Sequence, residues 1–175
     1  MSFAHLTLGA QAPKLITVVV EIPRGSRNKY EYSEQLDLIC LDRVLHSTLF
    51  YPTDYGFIPQ TRSEDGDHLD VLVLITQPTF PGCVLQVRPI GLLDMEDEAG
   101  RDWKIIAVAD QDPYYKHMND IDDVNIHLRK EIQHFFEAYK HLEAGKKSVV
   151  LGWQGKEDTY AIIKQAQKVY ADEHK

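Results

Sequence analysis

Cysteine is nearly absent. Cys40 and Cys83 are the only two in 175 residues, with no CxxC pair and no metal-ligating neighbours around either. A disulfide framework or a cysteine-held zinc site is therefore excluded as the basis of the fold, and both residues read as buried, reduced thiols. A single bridge between them would need Cα atoms within roughly 7 Å, which a sequence leaves open. Long apolar runs are missing too: none approaches the about 20 residues that span a bilayer. The start Met1-Ser2-Phe3-Ala4-His5 lacks the positive region and continuous apolar core of a secretory signal. The expectation is a cytoplasmic protein with no membrane partner. Basic charge is in deficit, with 19 Lys and Arg against 27 Asp and Glu, a net charge of −8 and a pI near 5.4. That balance argues against a nucleic-acid coat or a binder of anionic membranes. Linkers, repeats and low-complexity segments are also missing, so one domain is expected over residues 1–175. Hydrophobic residues make up 43%; a chain of this length buries about two-thirds of its unfolded surface without help from disulfides or structural metal.

The first half reads as strands. Leu15 to Ile22 is β-branched and stops at Pro23; Lys29–Tyr32 and Leu36–Leu41 suit short alternating strands around a turn at Glu34-Gln35. Val71–Ile75 is continuously apolar, as a strand buried on both faces would be. Val84–Leu93 and Trp103–Ala109 suit two more strands, separated by an acidic loop over Asp94–Asp102. Short strands at this spacing favour a closed or partly closed barrel over a doubly wound sheet. The period then changes. Leu128, Ile132, Phe135, Tyr139 and Leu142, spaced 4, 3, 4 and 3, predict a long helix over Val124–Glu143, stopped by Gly145. Ser148–Leu151 predicts a short strand, and Asp158 to Tyr170 a second helix. The fold class is α+β.

Chemistry concentrates in Glu64-Asp65-Gly66-Asp67-His68-Leu69-Asp70, just before the buried strand. Four acids in seven residues repel one another unless cations intervene. Gly66 lets the backbone turn so that Asp65, Asp67 and Asp70 converge. Carboxylates without thiolates favour a hard cation, Mg²⁺ before Ca²⁺ or Zn²⁺. An EF-hand loop is excluded, because counting from Asp65 puts Asp70 and Thr76 where it needs Gly and Glu. The bland alternative is a solvated acidic turn. Asp94, Glu96, Asp97, Glu98 and Asp102 form a second acidic region, again before a strand. In Asp102-Trp103-Lys104, strand alternation puts carboxylate and ammonium on one face and the indole on the other. Lys29 and Glu31 repeat the spacing. Each pair alone reads as a surface ion pair, worth about 0–1 kcal/mol, before it reads as catalytic. Tyr51 and Tyr55 lie in a stiff aromatic stretch, Arg43 can grip phosphate with two bonds, and Tyr139-Lys140 falls on the predicted helix. For Tyr139 core packing is the alternative, and for Lys140 a solvated charge.

In order along the chain, Val20-Glu21-Ile22-Pro23, Asn28-Lys29-Tyr30-Glu31, Asp42-Arg43, Phe50-Tyr51-Pro52-Thr53-Asp54-Tyr55-Gly56, Asp65-Gly66-Asp67-His68-Leu69-Asp70-Val71, Asp97-Glu98-Ala99-Gly100, Asp102-Trp103-Lys104 and His134 to Lys140 closely resemble the soluble, single-domain, magnesium-dependent inorganic pyrophosphatases. The resemblance covers about residues 15 to 155. It departs at His68, where the family commonly has Pro. It implies an OB-like five-stranded β-barrel with flanking helices, and hydrolysis of pyrophosphate to two phosphates. It further implies Asp65, Asp70 and Asp102 as ligands of one metal, Asp70 being shared with a second. Asp97 and Asp102 would hold a further metal, and Glu31 another. Asp67 is implied as general base and Tyr55 as a neighbour of the nucleophile. Lys29, Arg43, Lys104, Tyr139 and Lys140 would contact phosphate, with Glu21, Tyr51 and Glu98 supporting from behind. Mg²⁺ is the implied cofactor, Mn²⁺ or Zn²⁺ possible substitutes, and a homohexamer the implied assembly.

The physics agrees: an anionic protein repels a polyanion unless divalent cations invert the local field and neutralise its oxygens. The rival reading is a non-catalytic metal- or nucleotide-binding barrel, against which the scattered Lys29, Arg43, Lys104 and Lys140 weigh. Nucleoside triphosphate or polyphosphate hydrolysis is a third, without a Gly-rich phosphate loop to support it. His127, His134 and His141, seven residues apart, suit a polar helix face or a subunit contact sensitive to pH.

Overall fold

The computed structural model describes residues 2–174. Strand β1 (Ile16–Ile22) is buried at every residue, as its β-branched composition anticipates. It pairs antiparallel with β4 (Asp54–Ile58), which pairs antiparallel with β5 (Leu69–Leu74); β5 runs parallel to β7 (Gly100–Ala109), β7 antiparallel to β6 (Val84–Asp97), and β6 returns to β1. Those five strands close a barrel, the OB-like ring expected, and β8 (Ser148–Gln154) extends it at β6. A separate hairpin of β2 (Asn28–Ser33) and β3 (Leu38–Val44) stands beside the barrel.

Closure requires a glycine at one crossing. A Cβ on Gly56 of β4 would sit 1.9 Å from the Val19 carbonyl oxygen of β1, so any side chain there would push the two strands apart. The sheet then buries both faces. Leu72, Leu74, Ile106 and Val108 join one core, capped by Ile132, Phe135 and Phe136 of helix α1 (Ile126–Ala138). The alternate residues Val71, Val73, Ile105 and Ala107 join a second core with Ile163 and Ala166 of helix α2 (Lys156–Glu173). The two-faced burial read into Val71–Ile75 is therefore what β5 has.

Several boundaries differ from expectation: β3 lies later than Leu36–Leu41 and so contains Arg43, β4 falls where no strand is expected, and β8 and α2 run longer than Ser148–Leu151 and Asp158–Tyr170. The segment Asp94–Asp102 is not an acidic loop: β6 and β7 pair through it, with Asp94 opposite Trp103 and Asp97 opposite Gly100, leaving only Glu98-Ala99 as the turn. Helix α1 begins at Ile126, because Ile121–Asp123 forms a 3₁₀ turn and Asn125 caps the helix by accepting from the His127 N–H. It ends at Ala138, well before Gly145, so Leu142 and His141 lie beyond it and Leu142 is exposed. The longer helix is α2, at 18 residues against 13. Cys40 and Cys83 are free thiols, half-buried rather than buried. Among the described residues no helix is long and apolar enough to cross a membrane.

The β2–β3 turn is tied to the N-terminal segment by Asp37, whose Oδ1 accepts from the Phe3 N–H (2.8 Å) and the Tyr32 hydroxyl (2.9 Å). Hydrogen bonds, first from the Ser2 side chain and then from Phe3, hold its carboxyl down at about 2. A depressed carboxyl stabilises the fold above its unfolded value of about 3.9 and loses that contribution as pH falls toward the folded one. Asp37→Asn should therefore lower Tm at pH 6, with the gap to wild type closing as pH drops from 5 toward 2. A gap independent of pH in parallel melts would show that the charge is not what matters.

Candidate active site

The core face of β5 and β7 continues toward the barrel mouth with a change of chemistry. Stepping back by two from Leu72 gives Asp70, and from Ile106 gives Lys104 and Asp102; parallel register sets Asp70 beside Lys104. Tyr55 comes from β4, Lys29 and Glu31 from β2, Arg43 from β3, Asp97 from the last position of β6, Glu98 from the turn that follows, and Tyr139 and Lys140 from just past the end of α1. Asp65 and Asp67 come from the loop before β5, where Gly66 adopts φ +92° and the Asp65 carboxylate accepts from the Asp67 N–H at 3.0 Å. These side chains and Glu21 line one cleft of about 510 Å³. Of the site residues that the resemblance implies, Tyr51 alone does not line it; Tyr51 is buried behind, 5.5 Å from the Tyr55 ring and 4.8 Å from that of Phe135. Glu64, Asp94 and Glu96 of the two acidic regions also lie outside the cleft.

Ten carboxyl groups line the cleft against five Lys and Arg side chains. The cations are distributed one by one among the acids. Lys29 engages Glu31, and Asp42 at 3.7 Å. Buried Lys104 engages Asp70 and lies 2.7 Å from Asp102. It also donates to the Tyr55 hydroxyl at 3.2 Å. Lys140 sits 2.9 Å from Asp97 and 3.7 Å from Glu98, buried rather than solvated. Arg43 pairs with Asp42 and grips Glu143 with two nitrogens, at 3.1 and 3.0 Å. Tyr139 serves both readings at once: it stacks on Phe135 in the core and lines the cleft.

Burial and charge pull these groups apart in pKa. Burial would strip the proton from Lys104, but Asp102 and Asp70 outweigh it and hold the ammonium well above its ordinary value. Burial raises Asp102, against the pull of Lys104. For Asp97 burial acts upward, yet the hydrogen bonds from Lys140 and the Ala99 N–H leave it below the usual carboxylate value. Desolvation, then the charges of Asp65, Asp70 and Glu31, pushes Asp67 up. Glu21 is raised to about 8, by burial and then by Asp70, although it accepts from the Tyr32 N–H at 2.6 Å.

Ten carboxyl groups against a single imidazole, that of His68, suit a hard divalent cation, and no thiolate competes in the cleft. Among the described residues no three acidic, His or Cys side chains stand together as a ready metal cage. Their separation has a visible cause, since Lys104 lies between Asp70 and Asp102 and Lys140 draws Asp97 away. Sequence reasoning passed over Lys146, 2.5 Å from Glu98, and Glu143, the anchor of Arg43. Both reach the site through the fold of the segment after α1, and nothing local marks them.

The closed ring of five strands, with acids and lysines gathered at its mouth, gives an α+β architecture with an OB-like core. The sequence profile of the inorganic pyrophosphatase family matches residues 18–171, further into α2 than the motifs reach. The inorganic pyrophosphatase of Methanosarcina acetivorans is 49% identical over 159 residues, 91% of this chain and 94% of that one. That of Thermus thermophilus is 55% identical over 151 residues, 85% and 86% of the two chains. A crystal structure of inorganic pyrophosphatase from Thermus thermophilus superposes with a TM-score of 0.95 at 48% identity, covering 98% of this chain and 99% of that one. The chain belongs to the inorganic pyrophosphatase family.

Proposed function

We infer that the cleft hydrolyses inorganic pyrophosphate to two phosphates, with Mg²⁺ as the activating cation, in a single cytoplasmic domain spanning the chain and assembling as a homohexamer. Hydrolysis itself follows from membership of the family, which is metal-dependent. One observation carries the assignment of roles: each Lys suited to phosphate is held by a carboxylate suited to metal, Lys29 by Glu31, Lys104 by Asp70 and Asp102, and Lys140 by Asp97. A metal complex of pyrophosphate satisfies both halves of every pair, taking the ammonium groups on its oxygens and the carboxylates on its cations. A barrel that merely stored metal would gain nothing from cations interleaved this way.

In this reading Asp65, Asp70 and Asp102 hold one cation, Asp70 also a second, Asp97 and Asp102 a further one, and Glu31 another. When bound, divalent cations acidify the attacking water and neutralise the phosphate oxygens. Asp67 takes the proton of that water, a task its upward-shifted carboxyl suits. Lys29, Arg43, Lys104, Tyr139 and Lys140 hold the phosphate oxygens as charge moves onto the leaving group. Tyr55, kept protonated by burial, donates to an oxygen beside the nucleophile. Glu21, Tyr51 and Glu98 orient these groups from behind.

Phosphate release from pyrophosphate in Mg²⁺ and its abolition by EDTA test the reading. Restoration by Mg²⁺ above the EDTA concentration is expected, and hydrolysis undiminished by chelation would overturn it. ATP offered at the same concentration should be hydrolysed far more slowly.

A further inference from the structure

Just outside the cleft, behind the Glu34, Asp65, Asp67 and His68 that line it, three segments distant in sequence meet around one guanidinium. Arg62, with 12% of its side chain exposed, donates from Nε to Glu173 of α2 at 2.9 Å. Its Nη1 donates to Glu34 in the β2–β3 turn at 3.1 Å and to the Gly66 carbonyl of the acidic loop at 2.6 Å. The guanidinium carbon lies 5.4 Å from the centre of the Tyr170 ring, and the Arg62 N–H donates to the Ala166 carbonyl at 3.0 Å. His68 is a second pin, with Nδ1 at 2.8 Å from the Thr61 carbonyl and Nε2 at 3.0 Å from Glu34. Its ring stacks on Phe57 at 5.1 Å and faces Tyr170 at 5.9 Å.

The loop carrying Asp65 and Asp67 is closed on itself by the Ser63 N–H donating to the Asp67 carbonyl at 2.8 Å, the Gly66 N–H to the Ser63 carbonyl at 3.2 Å and the Asp67 N–H to the Asp65 carboxylate at 3.0 Å. These bonds set its shape but not its position against the rest of the molecule. Asp65 and Asp67 are exposed, and Gly66, at φ +92°, has open space around the position of a Cβ. The barrel strands pair without these contacts. His68 supplies a side chain that is held from outside the loop, by Glu34 and by the Phe57 and Tyr170 rings. Largely exposed ion pairs add little to global stability, but they fix geometry when several share one rigid guanidinium.

We propose that Arg62 and His68 are positioning residues. Anchored by Tyr170 and Glu173 of α2, they hold the acidic loop and the β2–β3 turn at one separation, which pre-arranges Asp65 and Asp70 for divalent cations. The proposal rests on the metal-binding role given to that loop above. Groups that support metal ligands typically affect affinity by about 10- to 100-fold.

The test is Mn²⁺ binding to the full chain, followed by the EPR signal of free Mn²⁺ without substrate, alongside melting in EDTA. Arg62→Met and Tyr170→Ala should each weaken Mn²⁺ binding about tenfold, with Tm within about 3 °C of wild type. Tyr170→Phe, which keeps the ring, should bind as wild type does. Wild-type affinity in both Arg62→Met and Tyr170→Ala overturns the proposal, as does an affinity loss seen only with a collapse of Tm, which marks a merely structural role. Should Arg62→Met fail to fold, Tyr170→Ala decides. Asp70→Asn, measured beside them, separates the two levels. Unchanged affinity there overturns the metal site and the clamp with it, whereas unchanged affinity in the clamp variants alone leaves the site standing.

Discussion

Asp67→Asn is expected to lower kcat by about 10²- to 10⁴-fold, the range a positioned general base contributes, while leaving the Mg²⁺ concentration for half-maximal activity within a few-fold of wild type. The substitution keeps the shape and removes the basic oxygen. Asp67 is not among the carboxylates assigned to metal, so its loss should fall on proton transfer. Its surroundings favour the role: desolvation and the charges on Asp65, Asp70 and Glu31 all raise its affinity for a proton. Steady-state kinetics across a Mg²⁺ series decides the matter. If Asp67→Asn instead shifts the Mg²⁺ requirement and recovers full turnover at saturation, Asp67 is a metal ligand and another group takes the proton.

The chemistry is more legible in the sequence than the shape that delivers it. Asp65 to Asp70 and Asp102-Trp103-Lys104 are local patterns whose spacing states their geometry; the Asp102–Lys104 contact follows from strand alternation alone. Strand β4 is hidden, because Asp54–Ile58 sits among Pro52 and Gly56, residues that signal turns. Gly56 is there for its close approach to Val19, a fact of tertiary packing that no window of sequence contains. Acidic composition likewise disguises the ends of β6 and β7 as a loop. Asp94 can sit in a strand only because Arg101 and Gln154 meet it there, both delivered by pairing. The end of α1 is misread for a related reason: the chain leaves the helix after Ala138, and Lys140 reaches Asp97, 43 positions earlier, which periodicity does not anticipate. Glu34, Arg62 and Tyr170 share this property, since each acquires its role only when three distant segments meet.

Lys104→Met should produce the largest change in stability, and one that depends on metal. Lys104 is buried, and it is the cation standing between Asp70 and Asp102. Removing one partner of a buried ion pair typically costs about 3–5 kcal/mol, because the remaining charge is left uncompensated. In a domain of this length each kcal/mol shifts Tm by roughly 2–4 °C, so melting in EDTA should fall by about 6–20 °C. Two features separate this loss from a packing defect. With the ammonium gone the Asp102 carboxyl, already raised by burial, loses the charge that pulls it down, so the folded state binds more protons than the unfolded one, and the deficit should shrink as pH is lowered from 7 toward 5. Mg²⁺ should also raise Tm by more in the variant than in wild type, since a cation bound by Asp70 and Asp102 replaces the lost charge. Turnover would not recover alongside, because the ammonium that meets phosphate is missing; one such donor is worth about 10²–10³ in kcat. A variant that melts like wild type in EDTA, or whose deficit ignores both pH and Mg²⁺, would mean that Lys104 fills space between the two carboxylates without holding them together.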